Sequence, residues 1–124
     1  MLRLILGISW LTILSFAMLT PGNKLPDVDL FNLQDKVIHL VTFFLQAYLW
    51  CGVGIKKDQV SYKNPKIWQN FLLFGIVCGV VLESMQQFIP NRSFDTADMI
   101  VNGLGACLGL LGYLKWPFIK YILD

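Results

Sequence analysis

The stretch ESMQQFIPNRSFDTADMIVNGLG, Glu83–Gly105, joins two strongly apolar segments, yet it carries a Glu, two Gln, two Asn, an Arg and two Asp. Its two ends belong to the apolar segments IWQNFLLFGIVCGVVLESMQQFI, Ile67–Ile89, and MIVNGLGACLGLLGYLKWPFI, Met99–Ile119. Two more apolar segments precede these: LILGISWLTILSFAML, Leu4–Leu19, and VIHLVTFFLQAYLWCGVGI, Val37–Ile55. The chain has 124 residues, 56% hydrophobic and only 15% charged, where a soluble domain carries about 25% charged residues. That contrast points to a membrane protein.

A helix that crosses a bilayer needs roughly 17–25 mostly apolar residues. Segments two to four reach that length, and the first stands near its lower limit. The linkers between them are short, which makes consecutive helices antiparallel. The expected fold is therefore an all-α integral membrane four-helix bundle with antiparallel up-down topology. It forms a single domain over residues 1–124, with helices at about 2–20, 36–55, 67–89 and 95–115. A rival reading of the first segment is a secretory signal, because Ser15-Phe16-Ala17 is a small-x-small site.

Basic residues set the expected orientation. Arg3, Lys56, Lys57, Lys63, Lys66, Lys115 and Lys120 fall on one side, and Lys24, Lys36 and Arg92 on the other. The excess places both termini and the middle loop in the cytoplasm. The net charge of +2 thus reads as a topology signal and gives no reason to expect nucleic acid. Cys51, Cys78 and Cys107 lie inside the spans without a Cys-x-x-Cys pairing, as packing residues would. Tyr48, Trp50, Trp68, Tyr113, Trp116 and Tyr121 fall near the inner boundary and read as an interfacial belt.

The polar residues of three helices converge near the outer face. Asp35, His39, Thr42 and Gln46 recur at helical steps on the second helix. Glu83 with Gln86 or Gln87 forms a stripe on the third, and Asp95, Asp98 and Asn102 one on the fourth. The last face continues as Gly105, Gly109 and Gly112, small residues that permit close helix approach, as does Gly75-x-x-x-Gly79. At about 1.5 Å per residue, His39, Glu83 and Asn102 sit at similar depth and can share one pocket. An ionisable group inside a bilayer costs about 2.5–3.5 kcal/mol, so such groups normally mark a site. Thr42 and Gln46 read more simply as helix–helix hydrogen bonds, and Asp95 and Asp35 as helix caps.

DKVIHLVTFF, followed by the opening stretch and ACLG, resembles the VanZ-like family of small bacterial membrane proteins. The resemblance rests on Asp35, Lys36 and His39; on Glu83, Gln86, Pro90 and Arg92; and on Asp98, Asn102 and Gly105. It departs from the family pattern at Asn91, where Gly is common, and in the aromatic expected after His39. The resemblance implies a bacterial cytoplasmic-membrane, multi-pass protein. It also implies a possible role in low-level teicoplanin resistance, the association of the name-giving member.

The expected function is binding or handling of a membrane lipid, a lipid-linked wall precursor or a lipoglycopeptide antibiotic in an extracytoplasmic pocket. Its ligand-binding residues would be Asp35, Lys36, His39, Glu83, Gln86, Arg92, Asp98 and Asn102. An enzyme is the first alternative, with His39, Glu83 and Asp98 as catalytic candidates and Ser84 and Ser93 as the nearest hydroxyls. Two carboxylates beside one His could also hold a divalent metal, although no metal or cofactor is assigned. Proton or solute transport and a purely structural ion-pair network are further alternatives. No polar path crosses one protomer, and only an oligomer could complete one.

Overall fold

A computed structural model describes residues 1–21, 34–92 and 94–116, and among these the only regular structure is helical. Helix α1 spans Leu2–Leu19, α2 Gln34–Cys51 and α4 Thr96–Lys115. Helix α3 runs Pro65–Gln86 as one rod. It is α-helical over Pro65–Asn70 and Cys78–Gln86 and π-helical over Phe71–Val77 between them. Lys24, Ser93, Lys120 and Tyr121, together with the chain beyond Trp116, lie outside the described residues.

The helix ends differ from expectation for local reasons. Helix α2 stops at Cys51 and not near residue 55, because Gly52-Val53-Gly54 follows and Gly54 adopts φ 73°. That left-handed backbone suits glycine. Helix α3 starts earlier than expected: Pro65 takes its first position, and the Asn64 side chain accepts from the Lys66 amide at 2.9 Å. It also ends earlier, at Gln86, since Pro90 disfavours helix in the residue before it. Asn91 then turns the chain at φ 60°. Asn is among the few L-residues that enter this region readily, which explains how it stands where Gly is common.

Over the described residues, α1, α3 and α4 are each long and apolar enough to cross a membrane by themselves, and α2 falls short in apolarity alone. The sequence reading put the first segment near the lower limit and counted the second as sufficient; three of its four spans stand on apolarity, the first among them. Gln34, Asp35, Lys36, His39 and Gln46 dilute α2. It can carry them because it is the central helix, packed against α1, α3 and α4. The other helices expose many large apolar side chains, among them Ile5, Ile13 and Phe16 on α1, Leu72, Val77 and Val81 on α3, and Ile100 and Leu104 on α4, and α2 adds Val37, Ile38 and Val41. Exposed apolar surface of this extent needs a partner phase, and a bilayer supplies it.

Helices α2 and α4 run in the same direction, with Lys36 beside Asp98, Leu40 beside Gly105, Phe44 beside Gly109 and Tyr48 beside Tyr113. Helix α3 opposes α2, with Asn70 near Cys51 and Gly79 against Phe43. Gln46 joins them: its Nε2 donates to the Phe74 carbonyl at 3.3 Å and to Cys78 Sγ at 3.9 Å. Phe74 lies within the π-helical stretch, where Cys78 N–H reaches back five residues to Leu73 O. Thr42 behaves differently from Gln46, because its hydroxyl donates to His39 O in its own helix. The interhelical bond at that level is Trp10 Nε1 to the Thr42 carbonyl, 3.1 Å.

The expected aromatic belt is partly a core. Tyr48, Trp50 and Tyr113 are buried, while Trp68 and Trp116 are exposed. Trp50 stacks on Phe74 with ring centroids 3.8 Å apart and lies under Gly7. Tyr48 and Tyr113 flank Arg3, whose guanidinium is buried and donates to Tyr48 O at 2.6 Å and Leu49 O at 3.2 Å. Arg3, counted above as a topology charge, thus satisfies the last carbonyls of α2. Asn70 completes that end by donating to Cys51 O and Val53 O. Of the cysteines, Cys51 is core, Cys78 is half-buried, and Cys107 faces outward.

Candidate functional site

The first two turns of α2 bring Asp35, Lys36 and His39 against the first two turns of α4. Asp95 caps α4, as anticipated, by accepting from the Ala97 amide at 2.9 Å. The same carboxylate accepts from Lys36 Nζ at 3.0 Å. That bond, followed by the one to Ala97, holds the Asp95 carboxyl below the usual carboxylate range. Lys36 also donates to Asp98 Oδ1 and lies 3.8 Å from Asp35 Oδ2. Asp35 sits within the first turn of α2, where negative charge suits the helix dipole.

One turn deeper, His39 Nδ1 lies 2.8 Å from Asn102 Oδ1. An amide oxygen only accepts, so Nδ1 donates and the other ring nitrogen is left to face the carboxylates. His39 Nε2 lies 3.7 Å from Asp35 Oδ1 and 3.7 Å from Asp98 Oδ2, beyond hydrogen-bond distance. Glu83 is fully buried on α3. Its Oε1 accepts weakly from the Asp95 amide at 3.4 Å. Glu83 Oε2 and Asn102 Nδ2 adjoin each other, although neither makes a hydrogen bond of ordinary geometry. His39, Glu83, Asp98 and Asn102 are all buried, with His39 bonded to Asn102 and 3.7 Å from Asp98.

Gln86 and Arg92 border this cluster but are engaged elsewhere. Gln86 donates to Met18 O at 3.1 Å. Arg92 donates from Nε to Thr20 O at 3.1 Å and from Nη2 to Ala17 O at 3.0 Å. Together they satisfy the terminal carbonyls of α1, a helix with no basic residue in its own last turn. Gln87 is exposed and Ser84 half-buried. The acceptors used here are backbone carbonyls, which no side-chain pattern reveals. Arg92→Ala is expected to cost about 1–2 kcal/mol and to free the end of α1. Faster amide hydrogen exchange over residues 17–20 would show it, and unchanged exchange there would refute this role.

A cavity of about 280 Å³ adjoins the cluster. Leu14, Ala17, Met18 and Ile38 line its apolar side, and Asp35, His39, Thr42, Gln86 and Arg92 its polar side. A larger cavity, about 740 Å³, lies at the opposite end of α2 between Met1–Leu4 and Gly52–Lys57. It is basic and holds none of the buried acids, so size and chemistry point to different ends. The chemistry favours the smaller cavity, where apolar and polar groups converge.

Fold and site together define a small protein, helical throughout its described residues, with three helices apolar enough to cross a membrane and ionisable groups buried between its helices. The chain belongs to the VanZ/LLP1 family, whose model matches residues 4–120. An uncharacterized protein of Schizosaccharomyces pombe is 32% identical over 79 residues. That match covers 64% of this chain and 46% of the yeast protein, so it spans about half the relative's length. Likeness to a yeast protein means that similarity alone does not assign a bacterial membrane. No solved structure matches the chain significantly.

Proposed function

We propose that this protein binds an amphipathic envelope molecule in the cavity beside His39. Candidates are a phospholipid, a lipid-linked wall precursor and a lipoglycopeptide with an acyl tail. The observation that carries the reading is the two-sided cavity: Leu14, Met18 and Ile38 suit a chain, and His39, Thr42, Gln86 and Arg92 suit a headgroup. In this reading Arg92 holds a phosphate or carboxylate while its other nitrogens keep α1 in place. Asp35, Lys36, Glu83, Asp98 and Asn102 set the charge and orientation of His39.

The four helices, as we read them, cross a bacterial cytoplasmic membrane up and down with both termini inside. Arg3, Lys56, Lys57, Lys63, Lys66 and Lys115 support this orientation against Lys36 and Arg92 among the described residues. The cavity then opens at the extracytoplasmic headgroup level. Reporter fusions that put the loop around Lys57 outside would overturn the orientation. Below the site the core passes to Ala47, Cys51, Ala106 and Leu110, which favours binding over transport through one protomer.

Native mass spectrometry of protein purified in mild detergent tests the reading. A specific lipid-like species should accompany wild type and fall at least about tenfold in His39→Ala, Glu83→Gln and Asp98→Asn. Each variant is first checked by circular dichroism and thermal melting. Retention of the same species by all three folded variants would sink the assignment of this cavity.

A further inference from the structure

We propose that Asp35, His39 and Asp98 form a site for one divalent cation of the zinc or manganese class. One ligand atom from each residue lies within 4.8 Å of the others. The two separations from His39 Nε2, 3.7 Å each, are too long for hydrogen bonds. They are close to the spacing of two ligands on one ion: bonds of about 2.0–2.2 Å in tetrahedral geometry put ligand atoms about 3.4 Å apart.

In two of the three ligands the atom that faces away from this gap is hydrogen-bonded. His39 Nδ1 is bonded to Asn102 Oδ1, which fixes the ring and leaves the Nε2 lone pair toward the carboxylates. Asp98 Oδ1 is bonded to Lys36, which leaves Oδ2 toward His39. Asp35 shows the same division, with Oδ2 toward Lys36 and Oδ1 toward His39. His39 and Asp98 thus each have an outer hydrogen bond and an inward atom without one, while Asp35 has only the Lys36 ammonium 3.8 Å from its outer oxygen.

Charge points the same way. Asp35, Asp95 and Asp98 share one ammonium, that of Lys36, while Glu83 is fully buried with one oxygen lacking a hydrogen bond of ordinary geometry. Arg92 donates to two carbonyls of α1 and not to these acids. A second cation at His39 would balance this excess. An imidazole with two carboxylates selects zinc or manganese over calcium or magnesium. Asp35 and His39 also line the 280 Å³ cavity, so a remaining coordination position is reachable from it. The sequence reading raised a divalent metal beside one His and two carboxylates but assigned none.

The test uses the full chain in detergent, stripped with chelator and titrated with zinc by calorimetry and with cobalt as a coloured zinc substitute. We expect one ion per chain and a visible cobalt d–d absorption. Affinity should fall at least about tenfold in Asp98→Asn and in Asp35→Asn. Asp35 is two-thirds exposed, so its variant reports even if Asp98→Asn does not fold. Asp58→Asn, on the exposed turn at the other end of α2, should bind as wild type does. Absence of saturable uptake, uptake unchanged in Asp35→Asn, or equal loss in Asp58→Asn would each overturn the proposal. The cobalt signal requires no lipid, so this result and the lipid result can fail separately.

Discussion

Gly105→Ala and Gly109→Ala are each expected to destabilise the protein by about 3 kcal/mol or more, the upper range for overpacking. A Cβ on Gly105 would lie 2.3 Å from Leu40 O, and one on Gly109 2.4 Å from Phe44 O. Both obstacles are backbone, so no rotamer change relieves them and α2 and α4 must move apart. The His39–Asn102 bond, 2.8 Å long, bridges the same two helices one turn away. Loss of close approach therefore disturbs the site as well as the fold. Gly103, on the same helix, has nothing within 4 Å of a built Cβ. Gly103→Ala should be neutral, or stabilising by up to about 1 kcal/mol through helix propensity. Thermal unfolding of the three variants in one detergent decides the matter. Equal melting of the Gly103 and Gly105 variants would mean that the glycine seam does not set the helix spacing.

Arg3→Ala should be the second large effect, about 2–4 kcal/mol. The guanidinium donates to two carbonyls at the end of α2, where the helix dipole also favours a cation. Its carbon lies 5.5 Å from the Tyr48 ring centroid and 4.9 Å from that of Tyr113. Each such contact contributes about 0.5–2 kcal/mol, more when desolvated. Alanine would strand buried carbonyls and leave a void above Gly52, whose missing side chain is what lets Arg3 in. Arg3→Lys keeps the charge but not the planar fork, so it should recover only part of the loss. If Arg3→Ala melts with wild type, the buried arginine is not a structural clamp.

How much of this was legible in the sequence depended on which coordinate of a helix a residue occupies. Depth was legible, because rise per residue is constant. Counting placed His39, Glu83 and Asn102 at one level, and they meet there. Direction around the helix was less so. Tyr48, Trp50 and Tyr113 share the depth of Trp68 and Trp116, yet the first three point inward and the others outward. Polar partners were legible only when both were side chains. Lys36 with Asp98 follows from charge, whereas Gln86, Arg92, Asn70 and Arg3 bond to carbonyls, which every residue carries. The second helix was judged by its length, while its polar content made it the one that the others must surround.

The π-helical stretch Phe71–Val77 has a consequence for how the two ends of α3 are phased. Each added residue turns a helix by about 100°. The wider π turns absorb that rotation, so Ile67 and Asn70 face α2 at one end while Glu83 and Gln86 face inward at the other. Removing one residue from this stretch would restore an ordinary helix of nearly the same length. It would also swing one end out of alignment with the other. The extra residue acts as a phase shifter: the lock on α2 and the acid beside His39 stay in step through a local irregularity in an otherwise regular rod.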